Sequence, residues 1–237
     1  MWSGSDLKER ARAVLQGPVY WKAVLVGFIL MVVGGIGGSG GSSAGGSSSS
    51  SSGGGGDVGI AIVILIVVLV VAVIAAVISL VITAFVTNPM KVGCSRFFTI
   101  ACIQNDANVN EIGIGFKSGR YMNVVKSMFS VTLEVILWSL LLIIPGIIKQ
   151  YEYKMVPYIL AENPDMSGSE AKELSKRMME GEKMNAFWLD FSFIGWWLVA
   201  GITCMLAGIF WVVPYYSLTQ AELYLVLRSK LFVNSAY

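Results

Sequence analysis

The chain has 237 residues, of which 55% are hydrophobic and 14% charged, and its mean hydropathy is +0.70. Soluble domains carry about 25% charged residues, and a soluble globule of this size could not bury so much apolar surface. The composition therefore excludes an ordinary soluble enzyme and predicts an integral membrane protein. The net charge of +2 is too small to indicate nucleic-acid binding.

Several kinds of catalytic site are also excluded. The chain has no histidine, so a Ser-His-Asp triad and a His-ligated zinc site are impossible. Its three cysteines show no CxxC spacing, which argues against a disulfide framework or a redox motif. We therefore expect no enzyme activity, no metal and no cofactor.

Six apolar segments are predicted to cross the membrane as helices. A spanning helix needs roughly 20 mostly apolar residues, and residues 58–86 provide 29 without a charge. This segment is rich in Val and Ile, but backbone in lipid must form its own hydrogen bonds, so we expect a helix. The predicted spans are residues 19–36, 58–86, 121–144, 147–161, 186–210 and 212–227.

The fourth predicted span is the shortest and carries three charges. These are Lys149, Glu152 and Lys154. The segment follows the Pro-Gly dipeptide at 145–146, which is a strong turn signal. We interpret it as the returning half of a helical hairpin, and a surface or re-entrant segment is the alternative.

The basic residues predict the orientation of the spans. If both termini are cytoplasmic, 15 of the 17 Lys and Arg residues lie in cytoplasmic segments and the outer loops carry none. This asymmetry agrees with the positive-inside rule. The sequence thus predicts an all-α, multi-pass plasma-membrane protein, with residues 1–237 forming one membrane domain of six helices in three hairpins.

The first two spans are joined by an outer segment of low complexity. Residues 34–56 are Gly or Ser at 21 of 23 positions, a composition typical of a flexible coil. We interpret it as a passive linker, and a glycosylated or partner-binding loop is the alternative.

Three amphipathic stretches are predicted to lie as helices on the inner membrane surface. The first precedes span one and has the apolar face Leu7, Ala11, Val14 and Leu15. The second follows Pro89 and contains Met90, Val92, Phe97, Phe98 and Ile100. The third begins with a capping-box pattern at Ser167 and Glu170 and has the apolar stripe Ala171, Leu174 and Met178. Glycines at 17, 119 and 181 each precede a span, which suggests a threefold repeat.

Four carboxylates fall inside predicted spans and are candidate functional residues, because burying a charge in a membrane is costly. They are Glu134, Glu152, Asp190 and Glu222. With a turn at residues 145–146, Lys154 lies within reach of Glu134, and we predict an ion pair between these two residues. Fixing the register of the hairpin is its expected role.

Glu222 has no predicted cation at its own depth. One hypothesis is a proton or cation site shared by Glu134 and Glu222. The other is a neutral acid that is hydrogen-bonded within the helical bundle.

Several segments resemble a known family. They are the Gly/Ser loop, Asn88-Pro89 with Arg96-Phe97-Phe98, the run from Trp138 to Lys149, the run from Met155 to Pro164, Ser192 to Trp196, and Ala221 to Tyr224. The chain resembles an uncharacterised bacterial integral-membrane family, domain-of-unknown-function family 975, which is distantly similar to the membrane domain of glycerophosphoryl diester phosphodiesterases. The resemblance implies a polytopic plasma-membrane protein and supplies no activity.

Two functions are open at this point. The first is a small transporter-like or lipid-handling protein with polar sites at Glu134, Lys154 and Glu222. The second is an accessory, immunity or scaffold protein that acts through a partner within the membrane. The expected partners are membrane lipids and either another membrane protein or a second copy of the chain.

Overall fold

A computed structural model describes residues 2–38, 58–116, 119–203 and 208–234. Every regular element in these ranges is helical, which confirms the prediction of an all-α protein. The second helix continues to Gly38, so the first glycines of the predicted loop are helical. Residues 39–56 of that loop lie outside the described residues.

Eleven α-helices are distinguished within the described ranges. They are α1 Gly4–Leu15, α2 Tyr20–Gly38, α3 Val58–Ile82, α4 Asn88–Gln104, α5 Tyr121–Leu141, α6 Ile143–Glu152, α7 Val156–Glu162, α8 Gly168–Met178, α9 Lys183–Phe191, α10 Ile194–Ile202 and α11 Val213–Asn234. Two π-helical turns, Thr83–Thr87 and Gly208–Val212, lead into α4 and α11, and a 3₁₀ segment, Val109–Phe116, follows α4.

Helix α4 lies in the protein core, so the prediction that it rests on the membrane surface is wrong. It continues α3 through the π-helical turn and contacts α2, α5, α7 and α11. Val92, Phe97 and Phe98 are buried, and small residues such as Gly93 allow neighbouring backbone to approach closely. Because α4 buries residues on several faces, its basic residues Lys91 and Arg96 are not evidence of a lipid-facing surface.

Helices α5 and α6 form the predicted hairpin, but the chain turns earlier than predicted. The break is the extended residue Leu142, and α6 begins at Ile143. Pro145 therefore lies in the first turn of a helix, where its missing N–H costs little. Gly146 packs against α5, since a Cβ added there would lie 2.6 Å from the Cα of Ser139.

Two of the predicted spans are each divided in two. Predicted span 147–161 is interrupted between Glu152 and Val156, where α6 ends and α7 begins. Predicted span 186–210 is interrupted between α9 and α10, at Ser192 and Phe193. Polar side chains cluster next to both breaks, where Lys154 and Asp190 bind each other.

The amphipathic helices α1 and α8 turn their apolar faces towards other helices. Helix α1 packs against α11, the long final helix, and α8 packs against α5 and α7. The predicted face of α1 is buried, and the capping box between Ser167 and Glu170 is confirmed. The predicted apolar faces are thus correct, but they contact protein instead of the membrane surface.

Two helices, Ile62–Gln104 and Tyr121–Leu141, are long and apolar enough to cross a membrane. The pair Gly4–Leu15 and Tyr20–Val32, bent by 112°, would be a third span if both helices belong to one crossing. This number agrees with a membrane protein, and the six-span arrangement in three hairpins is not confirmed. Helix α3 is exposed and apolar along residues 62–78.

Candidate functional site

Asp190 accepts four hydrogen bonds from three different parts of the chain. Its Oδ2 accepts from Lys154 Nζ at 2.6 Å and from the Tyr151 hydroxyl at 2.9 Å. Its Oδ1 accepts from Gln220 Nε2 at 2.9 Å and from the Tyr216 hydroxyl at 3.2 Å. The carboxylate is therefore fully bonded, and Lys154 balances its charge.

The breaks in the helices bring these groups together. Lys154 lies in the turn between α6 and α7, and Asp190 is near the end of α9, just before the break to α10. Tyr216 and Gln220 are four residues apart on α11, so they lie on one face of that helix. The structure thus places two of the predicted residues, Lys154 and Asp190, in one site.

These residues line a cavity of about 610 Å³, which we call the Asp190 cavity. Such a volume is typical of sites for small molecules. The apolar side chains of the lining, which we call the apolar wall, come mainly from α2, α4 and α5: Leu30, Phe98, Met128, Val131, Val135 and Ile136. Helix α4 also contributes the polar residues Asn88, Lys91 and Ser95, so the cavity combines polar groups with an apolar wall.

Two buried polar atoms at the Asp190 cavity have no hydrogen-bond partner. They are Nδ2 of Asn88 and Oε1 of Gln220. Their residues are only 2% and 3% exposed. A buried polar group without a partner costs free energy, so each atom marks a position where a ligand group can bind.

Lys91 is a third cavity residue, and it is not among the site residues predicted from the sequence. It lines the cavity from α4, and no carboxylate in the described part of the chain pairs with it. A signal was present in the sequence, because Asn88 and Lys91 are three residues apart in a segment that follows a long apolar run. Gln220 similarly interrupts the apolar residues of α11.

Glu134 binds a residue other than the one predicted. It accepts a hydrogen bond of 2.6 Å from the Tyr153 hydroxyl and pairs with Lys172 of α8. Lys172 also donates to Ser130 at 2.9 Å. The predicted Glu134–Lys154 pair is wrong, because the early turn at Leu142 shifts the register of α6 against α5.

Glu152 and Glu222 lie at two other places. Glu152, at the end of α6, pairs with Lys149 and Lys183, each at 2.7 Å. Glu222 lines a different cavity of about 460 Å³ between α1, α4 and α11, together with Arg10 and Cys102. The structure therefore does not place Glu222 beside Glu134, which lies at the contact between α5 and α8.

The described residues contain no group of three or more Asp, Glu and Cys side chains that could hold a metal ion. No curated protein matches the chain, and no solved structure matches it. Residues 60–230 match the family model described as "Protein of unknown function (DUF975)". The match covers more than half of the chain, which therefore belongs to this family of proteins of unknown function.

Proposed function

We propose that this protein is a bacterial multi-pass plasma-membrane protein that handles lipids, and that the Asp190 cavity binds an amphiphile. The observation that carries the proposal is that this cavity combines charged and hydrogen-bonding groups with an apolar wall. A lipid has the same combination, with a polar headgroup and apolar chains. Ligand sites are commonly concave, mostly apolar and fitted with a few polar groups.

The position of the cavity beside broken helices supports a transporter-like role. Lys154 occupies the break between α6 and α7, and Asp190 precedes the break between α9 and α10. Many transporters build their binding sites from discontinuous helices, whose exposed polar ends face the ligand.

The proposed orientation keeps both termini in the cytoplasm, because the basic residues then lie almost entirely on the inner side. Reporters that are active only on one side of the membrane, fused separately to each end, test it. Equal cytoplasmic signals are expected from both fusions. A terminus on the outer side would contradict this orientation.

Blocking the cavity is the direct test of lipid handling. The variant Val135→Trp places a large ring on the apolar wall, where Val135 is half-buried. Binding of a fluorescent phospholipid by the purified protein is expected to weaken by about tenfold, equivalent to about 1.4 kcal/mol.

Leu133→Trp is the matched control, since Leu133 lies two residues away on α5, is 38% exposed and does not line the cavity. It should bind the phospholipid like the wild type. Equal binding by all three proteins would contradict the proposal.

An accessory or scaffold protein that acts through a partner within the membrane is the second candidate. It is favoured by α3, whose apolar side chains are exposed over residues 62–78. A photo-crosslinker at Leu69 tests this alternative in native membranes. A protein adduct of defined mass, together with normal lipid binding by Val135→Trp, would favour the accessory role over lipid handling.

A further inference from the structure

The charges of the Asp190 cavity leave one positive charge without a partner. Three charged residues line it, namely Lys91, Lys154 and Asp190. Lys154 and Asp190 neutralise each other at 2.6 Å, and Lys91 has no acidic partner among the described residues. Lys91 is itself exposed, so solvent screens its charge in part, but the excess of one positive charge in the lining still favours a ligand with a negative charge.

A second donor accompanies the Lys91 ammonium. Asn88 lies three residues before Lys91 on α4, and residues at this spacing face the same side of a helix. Its Nδ2 is buried and donates to no group of the described chain. Two donors, one of them charged, match the oxygens of a phosphate group, since hydrogen bonds to an ionised acceptor are the strong ones.

Gln220 adds an acceptor to the cavity from another helix, α11. Its Nε2 is held by Asp190 at 2.9 Å, which fixes the orientation of the amide and leaves Oε1 as the unpartnered atom. This oxygen requires an O–H or N–H of the ligand. A ligand ammonium would add positive charge to a cavity that already has an excess of it, so a hydroxyl group fits better.

The apolar wall continues towards the exposed apolar end of the α5–α6 hairpin. Val135 and Ile136 line the cavity on α5, and Ile136 is 49% exposed. Beyond it, Leu140 and Leu141 are exposed large apolar side chains. The exposed apolar side chains of α5 therefore offer a surface along which acyl chains can leave the cavity.

We infer that the Asp190 cavity binds an anionic phospholipid whose phosphate is held by Lys91 and Asn88, and whose headgroup hydroxyl donates to Gln220. This inference rests on the proposed lipid-handling function and adds its ligand class. Phosphatidylglycerol has this chemistry, with one phosphate charge and a hydroxylated headgroup. Phosphatidylethanolamine has the same phosphate but carries an ammonium in place of the hydroxyls.

The experiment compares these two lipids on the full-length protein. Purified protein is titrated with each lipid in mixed micelles, and bound lipid is measured by native mass spectrometry. The wild type is expected to prefer phosphatidylglycerol by about tenfold. Lys91→Gln should weaken binding of both lipids, because both carry the phosphate. Binding of phosphatidylglycerol should fall more, by about tenfold, because the ammonium of phosphatidylethanolamine no longer meets an excess of positive charge, so the preference is lost.

Lys126→Gln is the matched control, because Lys126 is an exposed lysine of α5 outside the cavity. It should keep the wild-type preference. A preference lost equally in both lysine variants would show a general effect of net charge and would overturn the inference.

A second variant, Asn88→Asp, adds a negative charge beside the phosphate and should reverse the preference.

Two further arms separate the possible outcomes. Glycerol phosphate, which has no acyl chains, is added as a competitor. We expect that it does not displace the bound lipid. Its effective competition would overturn the lipid assignment in favour of a soluble phosphate ester. Val135→Trp should weaken binding of both lipids. If Val135→Trp weakens binding of both lipids but the wild type binds the two lipids equally, the assignment of an anionic ligand is wrong and the lipid-handling function stands. If Val135→Trp changes the binding of neither lipid, the lipid-handling function itself is contradicted.

Discussion

The ammonium of Lys154 donates a hydrogen bond of 2.6 Å to Oδ2 of Asp190 and so ties the break between α6 and α7 to α9. The side chains of the two residues are 16% and 23% exposed. A pair this far from solvent contributes little when both partners are replaced by apolar groups, but removal of one partner leaves a charge that is poorly compensated.

Lys154→Met is therefore expected to lower the free energy of unfolding by about 3 kcal/mol. Asp190 then keeps only the uncharged donors Tyr151, Tyr216 and Gln220. The double variant with Asp190→Asn should lose less than the sum of the two single variants. Unfolding in detergent, with Lys126→Met as an exposed control, measures both effects. Equal stability of the two lysine variants would contradict the prediction.

The corrected partner of Glu134 gives a second prediction. The free-energy coupling between Glu134→Gln and Lys172→Met is expected to be about 1 kcal/mol, because the two side chains are 36% and 17% exposed and solvent weakens their attraction. Glu134→Gln and Lys154→Met should instead be additive within about 0.5 kcal/mol. Two double-mutant cycles in one detergent measure both values. A larger coupling with Lys154 would restore the original pairing.

The position of one turn explains why the sequence predicted the wrong partner. Hydrophobicity located the α5–α6 hairpin, but Pro145-Gly146 is compatible with both a turn and the first turn of a helix. With the break at Leu142, counting eight residues to each side places residue 150 opposite Glu134. Tyr153 then reaches Glu134, and Lys154 points to α9 instead.

Composition predicted the class of protein but not the neighbours of each helix. The apolar faces of α1 and α8 were correct, because side-chain spacing defines a helix face. Spacing contains no information on whether lipid or protein covers that face. For the same reason the sequence did not predict the burial of α4, which depends on contacts with the 3₁₀ segment that follows it. It also did not predict that Asn88 and Gln220 each bury a polar atom without a partner.

A third prediction concerns acid. Burial alone would raise the pKa of Glu182, but hydrogen bonds from Lys230 and Asn185 outweigh burial and hold its pKa below the ordinary value. A carboxylate with a lowered pKa in the folded state contributes its full stabilisation above the pKa of the unfolded chain, about 4.3. This contribution is lost as the pH falls further, through the folded-state pKa.

The unfolding midpoint of the wild type should therefore fall more steeply than that of Glu182→Gln between about pH 5 and about pH 3. Glu173→Gln is the control, since Glu173 belongs to an exposed pair with Arg177 on α8. Its acid dependence should follow the wild type. Parallel curves for wild type and Glu182→Gln would show that the contact between Glu182 and α11 does not contribute to acid stability.

The last prediction tests the close contact that keeps α4 inside the protein. A Cβ added to Gly93 would lie 1.9 Å from the carbonyl oxygen and 2.7 Å from the carbonyl carbon of Ile112. Both atoms are backbone, so the 3₁₀ segment must move before a side chain fits. Gly93→Ala is therefore expected to lower the free energy of unfolding by about 2 kcal/mol, the usual cost of overpacking.

Gly113→Ala is the matched control, because a Cβ added there meets no atom within 4 Å. Gly113 follows Ile112 directly in the 3₁₀ segment. The two variants therefore add the same methyl group close to one contact, once where it collides with backbone and once where there is space. Unfolding in detergent should leave Gly113→Ala within about 0.5 kcal/mol of the wild type. If Gly93→Ala were equally harmless, α4 would not pack against this segment, and the position of Lys91 and Asn88 in the cavity would be wrong as well.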